Sequence, residues 1–176
     1  MGFVNAHFVA YTTDFGTTAI NGAYALATVG VAGIAGGLSF GFLADKFGRR
    51  PLLSIAFMMR TIGYVVLLMA TSLPGAIVGI VIIGSSWTSV ISLTGTVSSD
   101  EFGLRRLGTI IGTMFMVMPI GASTAVWLAG QIYDSTGSYE YALWISLGMG
   151  LIGFISIAMP TTGISKKIWP QLPQAG

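Results

Sequence analysis

The stretch Gly41-Phe42-Leu43-Ala44-Asp45-Lys46-Phe47-Gly48-Arg49-Arg50-Pro51 decides how this chain is read. It packs Asp45, Lys46, Arg49 and Arg50 between two long apolar runs, 19–43 and 52–71, whose sole charge is Arg60. Each run has the roughly 20 residues needed to cross a hydrocarbon layer about 30 Å thick. A charged turn this short forces the two runs back to back. Gly48 permits the sharp reversal, and Gly41 lets two helices approach closely. Asp45 can cap or face a helix N-terminus, while Arg49 and Arg50 anchor the turn at one membrane face.

The rest of the composition agrees. Only 8% of the 176 residues are charged, where about 25% is usual for a soluble domain. Mean hydropathy is +0.82. So few charges cannot cover the surface of a soluble fold, which makes this a membrane protein. With no cysteine there is no disulfide framework and no thiolate or zinc-thiolate chemistry. The net charge of +2 forms no basic stripe, so nucleic acid is not an expected partner.

Breaking the chain at its charges and turn residues gives six apolar segments, at 1–13, 19–43, 52–71, 75–98, 109–131 and 141–160. The first offers roughly 20 Å of helix, too short to span, and the chain is expected to begin inside a helix. Short loops make consecutive segments antiparallel neighbours. Lys46, Arg49, Arg50, Arg105, Arg106, Lys166 and Lys167 then fall on one side, and the opposite loops hold Asp14, Asp134 and Glu140. Basic residues mark the cytoplasmic face, so the C-terminus is expected there, in a multi-pass protein of the plasma (inner) membrane. Residues 1–163 are expected to form the six-helix transmembrane domain and 164–176 a short basic tail.

The Gly41–Arg50 stretch resembles the G-x-x-x-D-[RK]-x-G-R-[RK] loop of the major facilitator superfamily, with every fixed position met. That resemblance implies an all-α, polytopic transmembrane helix bundle, half of a twelve-helix transporter, whose six spans form 3+3 inverted repeats, here 1–71 and 75–160. It also gives Gly41, Asp45, Lys46, Gly48, Arg49 and Arg50 a gating or conformational role. The run Gly130–Tyr141 looks like the outer loop between the last two spans of monocarboxylate porters and oxalate/formate-type exchangers. The stretch from Asp100 to Gly112 is similar to the preceding inner loop. These features identify the chain with the C-terminal half, helices seven to twelve. Its partners would be the bilayer, a solute, and either a missing N-terminal half or a second copy.

Glycines at 33, 37 and 41 form a double G-x-x-x-G seam, and Gly108 and Gly112 start another, both read as helix-packing surfaces. Polar groups inside hydrocarbon mark candidate sites. On the fourth segment Ser85, Thr88, Ser89, Ser92 and Thr96 share one face. Such a stripe either bonds its own helix carbonyls or walls a cavity. In the resembled family the first and fourth helices of each half line the central cavity. On the first segment His7 and Tyr11 lead to Asp14 at i, i+4, i+7. His7 lies roughly 10 Å inside Asp14, deep enough to carry a coupling proton, meet a carboxylate, or simply pack. Arg60, about 15 Å from Arg50 along its helix, is either an anion clamp or a structural arginine that snorkels or pairs. The third helix of each half is peripheral in this family, which favours the structural alternative.

The function that follows is secondary active transport of a small solute, foremost an organic anion such as a monocarboxylate, with H⁺ as coupling ion. A drug-type exporter of the same superfamily, or a truncated non-transporting half, are the alternatives. No phosphate-cradling loop, metal set or acid/base cluster points to an enzyme or a cofactor.

Overall fold

The computed structural model describes residues 2–159. Six α-helices follow one another: α1 (Gly2–Thr13), α2 (Ala19–Phe47), α3 (Arg49–Met69), α4 (Leu73–Phe102), α5 (Leu107–Thr136) and α6 (Glu140–Ala158), with one 3₁₀ turn at Leu104–Arg106. Every apolar segment found in the sequence is a helix, and five of the six are long and apolar enough to cross a membrane; α1 is not. The basic tail at 164–176, with Lys166 and Lys167, lies outside the described residues.

Helix ends depart from the hydropathy reading in one direction. The expected loop 44–51 shrinks to Gly48 alone, and 98–108 to Gly103 and the 3₁₀ turn. Charged residues interrupt apolarity but not the i→i−4 hydrogen-bond ladder, so the helices run on past the hydrocarbon. What stops them is backbone geometry. Gly48 and Gly103 have φ of +93° and +76°, values from which an L side chain is sterically barred. Thr18 caps α2 by accepting from the Asn21 N–H. α5 continues through Pro119, as membrane helices can.

α4 is the hub, packed along its length between α2 and α3, with α6 on α3 and α1 bridging α2 and α5. Its glycines and those of α2 set the spacing. A Cβ on Gly36 would overlap the Ser85 carbonyl, and one on Gly84 would come within 2.9 Å of Val29. Gly33 and Gly37 face Thr88. Gly41, by contrast, meets nothing within 4 Å, and neither do Gly108 and Gly112. Among the described residues the close approach expected of those three is therefore absent: Gly41 lies on an open face of α2, and the Gly108–Gly112 end of α5 stands away from its neighbours. Indeed α5 buries only Ala129.

Two apolar clusters hold the bundle. One, at the end carrying Asp14 and Glu140, gathers Phe3, Phe8, Tyr11, Leu67, Ile80 and Leu143. The other, at the end carrying Arg49 and Arg50, gathers Phe40, Leu52, Leu53, Val90 and Leu93. In lipid such contacts act through close packing rather than escape from water.

Candidate functional site

The charged turn builds a clamp. Because α3 begins directly after Gly48, Arg49 and Arg50 occupy its first turn and reach the last turn of α4. Arg49 Nη1 lies 2.7 Å from Asp100 Oδ1, and Arg50 Nη1 3.5 Å from Glu101 Oε1. Arg50 also donates to the Met159 carbonyl at 2.9 Å, drawing in the end of α6. Asp45 and Lys46 sit exposed in the last turn of α2. The cap considered for Asp45 does not form: α3 has Gly48 at its N-cap and no side-chain cap bond. Lys46 Nζ instead lies 5.4 Å from the Phe47 ring centre.

The hydroxyl stripe turns mostly onto its own helix. Ser85 donates to the Ile82 carbonyl and Ser89 to that of Ser85, each at 2.9 Å. Ser89 is buried, Thr88 lies over the α2 glycines, and Thr88 and Ser92 are exposed. Ser86, outside the stripe, is fully buried and donates to the Ile83 carbonyl.

His7 is held at both ring nitrogens. Nε2 is 3.0 Å from the Val126 carbonyl and Nδ1 is 3.3 Å from the Tyr139 hydroxyl. A carbonyl can only accept, so Nε2 carries the hydrogen; in the neutral ring Nδ1 then accepts from Tyr139. Tyr139 is the hub of this end, stacked 4.3 Å from Tyr133 and edge-on to Phe3. Burial first, then Tyr133, Asp14 and Asp134, pushes its hydroxyl above the usual tyrosine range. Tyr11 donates to the Leu67 carbonyl and lines a cavity of about 210 Å³ with Asp14 and Glu140. Two carboxylates make that cavity a poor receptor for an anion.

The larger cavity, about 490 Å³, lies between α3, α4, α5 and α6. Arg60 enters it beside Phe57 and Trp87, its guanidinium carbon 5.4 and 5.1 Å from their ring centres. The α4 wall is Trp87, Val90, Ile91, Thr94 and Gly95, a different face from the hydroxyl stripe. The structure thus separates the candidates: His7 with Tyr11 near one end, Arg60 in the larger cavity, and the stripe against α2. Phe57 and Trp87 are apolar, so polarity inside hydrocarbon does not single them out. Phe57, three residues before Arg60, shares its helix face and was recoverable from that spacing.

A family model described as Major Facilitator Superfamily matches residues 1–168. An uncharacterized MFS-type transporter of Bacillus subtilis (strain 168), YcxA, is 30% identical over 169 residues, covering 89% of this chain and 39% of the relative. The efflux pump dotC of Dothistroma septosporum (strain NZE10 / CBS 128990) is 28% identical over 154 residues, 86% of this chain and 24% of the pump. Monocarboxylate transporter 2 of Rattus norvegicus is 27% identical over 143 residues, 79% of this chain and 29% of the transporter. The chain therefore spans well under half the length of these relatives.

Proposed function

The chain belongs to the major facilitator superfamily, and on that footing we propose that it is a six-helix half of a secondary active transporter for a small organic anion such as a monocarboxylate, coupled to H⁺. As an integral multi-pass protein of a transporter family, it takes the bilayer as its solvent and a solute as its ligand. In this reading it supplies helices seven to twelve, with α1–α3 and α4–α6 as inverted repeats. It works beside an N-terminal half or a second copy, in the plasma (inner) membrane, with the C-terminus cytoplasmic.

One observation carries alternating access: the Arg49–Asp100 and Arg50–Glu101 contacts, which tie α3 to α4 at a single end. Partly exposed ion pairs are worth about 0–1 kcal/mol each, so they break and reform at little cost as that end opens. The candidate contacts for the cargo, His7, Tyr11, Ser85, Thr88, Ser89, Ser92 and Arg60, do not line one cavity, and of them Arg60 is the one proposed to meet an anion. Taking a proton on Nδ1 would reverse the His7–Tyr139 bond, which gives the coupling a local geometric consequence. Arg60 supplies the positive charge an anion requires.

A drug-type exporter is the second reading, favoured by the apolar cavity walls and the efflux-pump relative. Reconstituted proteoliposomes decide. Uptake of a labelled monocarboxylate driven by an inward proton gradient supports the first reading; extrusion of a hydrophobic dye without carboxylate uptake supports the second. Flux only after co-reconstitution with a separate six-span half identifies the chain as dependent on that partner. Silence in every arm leaves a non-transporting half.

A further inference from the structure

Arg60 holds a charge inside the bundle that its surroundings leave incomplete. Its Nε and Nη2 are buried and have no hydrogen-bond partner among the described residues. The rings of Phe57 and Trp87 offer their faces to the cation but no acceptor for its N–H groups. Such a group is costly to bury, and a guanidinium fork is shaped to receive a carboxylate.

The cavity it enters has the size of a small-molecule site, about 490 Å³. By their positions along the antiparallel helices, Arg60, Trp87 and Met118 fall toward one end of it, and Leu53, Gly95 and Ile157 toward the other. Between Trp87 and Gly95 the α4 wall runs about 12 Å at helical rise. The slot therefore has one cationic end and a long apolar body, complementary to an anion of the same asymmetry. Neither His7 nor any residue of the hydroxyl stripe lines it. Arg60 lies about 16 Å along α3 from Arg49, near the middle of a hydrocarbon layer about 30 Å thick. A bilayer lipid keeps its phosphate at the interface and does not bring it there.

We propose that this cavity binds an unbranched aliphatic monocarboxylate of medium chain length, the carboxylate on Arg60 and the chain along Trp87, Ile91 and Thr94 toward Ile157. This deepens the reading of the chain as an organic-anion transporter by naming the anion's class, and it rests on that reading only for the bound acid being cargo. The test reads binding and not flux, so the two can fail separately.

The full chain in phosphatidylcholine nanodiscs is titrated with labelled octanoate, with octanol and acetate as competitors. Saturable octanoate binding is expected, with octanol and acetate each about tenfold or more weaker. Arg60→Gln should weaken octanoate by about tenfold or more. Gly95→Leu keeps the charge and fills the far end; a Cβ at Gly95 meets Ile111 only at 3.8 Å, an ordinary contact. It should shift preference from octanoate toward butyrate, and it decides the matter if Arg60→Gln does not fold. Octanol competing as well as octanoate would overturn the proposal, as would binding unchanged by either variant. Loss of octanoate binding on adding phosphatidylglycerol to the disc would also overturn it, by making a lipid the occupant.

Discussion

Arg49 and Asp100 meet at 2.7 Å, joining the first turn of α3 to the last turn of α4 through side chains that stay 42% and 54% exposed. Close geometry with free access to water makes this a contact whose loss costs little stability, yet whose presence holds two helix ends together. Asp100→Asn should lower unfolding stability by less than about 1 kcal/mol. It should also speed labelling of a single cysteine placed at Ser99. Exchanging the charges, Arg49→Asp with Asp100→Arg, should restore slow labelling. Equal labelling rates in all three proteins would remove any clamping role.

Helix spacing gives a second prediction. Gly36→Ala forces a methyl into the Ser85 carbonyl and should destabilise by about 1–3 kcal/mol, as overpacking does. Gly41→Ala and Gly112→Ala enter open space and should be neutral or raise stability by up to about 1 kcal/mol through helix propensity. Thermal unfolding of the three variants in one detergent ranks them.

At the other end, His7→Ala and Tyr139→Phe remove the same hydrogen bond. Each should cost about 0.6–1.5 kcal/mol, and the double variant less than the sum. The pH dependence has a definite sign. Tyr139 is raised above its ordinary value, so its contribution to stability is complete below the unfolded tyrosine pKa of about 10 and is lost as pH climbs through the folded value. Tyr139→Phe should therefore flatten the alkaline limb of a stability–pH curve and leave the neutral region's slope unchanged.

Arg60→Met should unfold no more easily than the parent without ligand, and by up to about 1 kcal/mol less easily. An apolar side chain replaces a charge whose Nε and Nη2 lack acceptors among the described residues. A large loss of stability instead would mark Arg60 as structural.

The helices were legible because hydrocarbon selects for long, sparsely charged runs: five stand in the sequence, one of them carrying Arg60, beside a shorter sixth. Their ends were not, because Asp45, Lys46, Asp100 and Glu101 interrupt apolarity while remaining helical. The partners of Arg49 and Arg50 were half legible: loop parity places Asp100 and Glu101 at the same end, but contact depends on α4 running to Phe102. The glycine seam was read in the correct helix with the emphasis displaced. G-x-x-x-G spacing marks Gly33 and Gly37, whereas the tightest approach, at Gly36, depends on how α2 is rotated toward Ser85. Sequence spacing could line up the hydroxyls of α4, but only helix packing shows that Trp87 and Thr94 own the wall facing Arg60.

Gly48 is the whole of the connection between α2 and α3, one residue at φ +93°. Such a joint has no slack to absorb relative sliding, since neighbouring Cα atoms stay about 3.8 Å apart. Any displacement of the C-terminal end of α2 is passed on to the arginines that grip α4 and the end of α6. The hairpin thus behaves as a lever with its handle in one helix and its jaw on two others. Splicing a few flexible residues in at this point would leave each helix intact and disconnect the handle from the jaw.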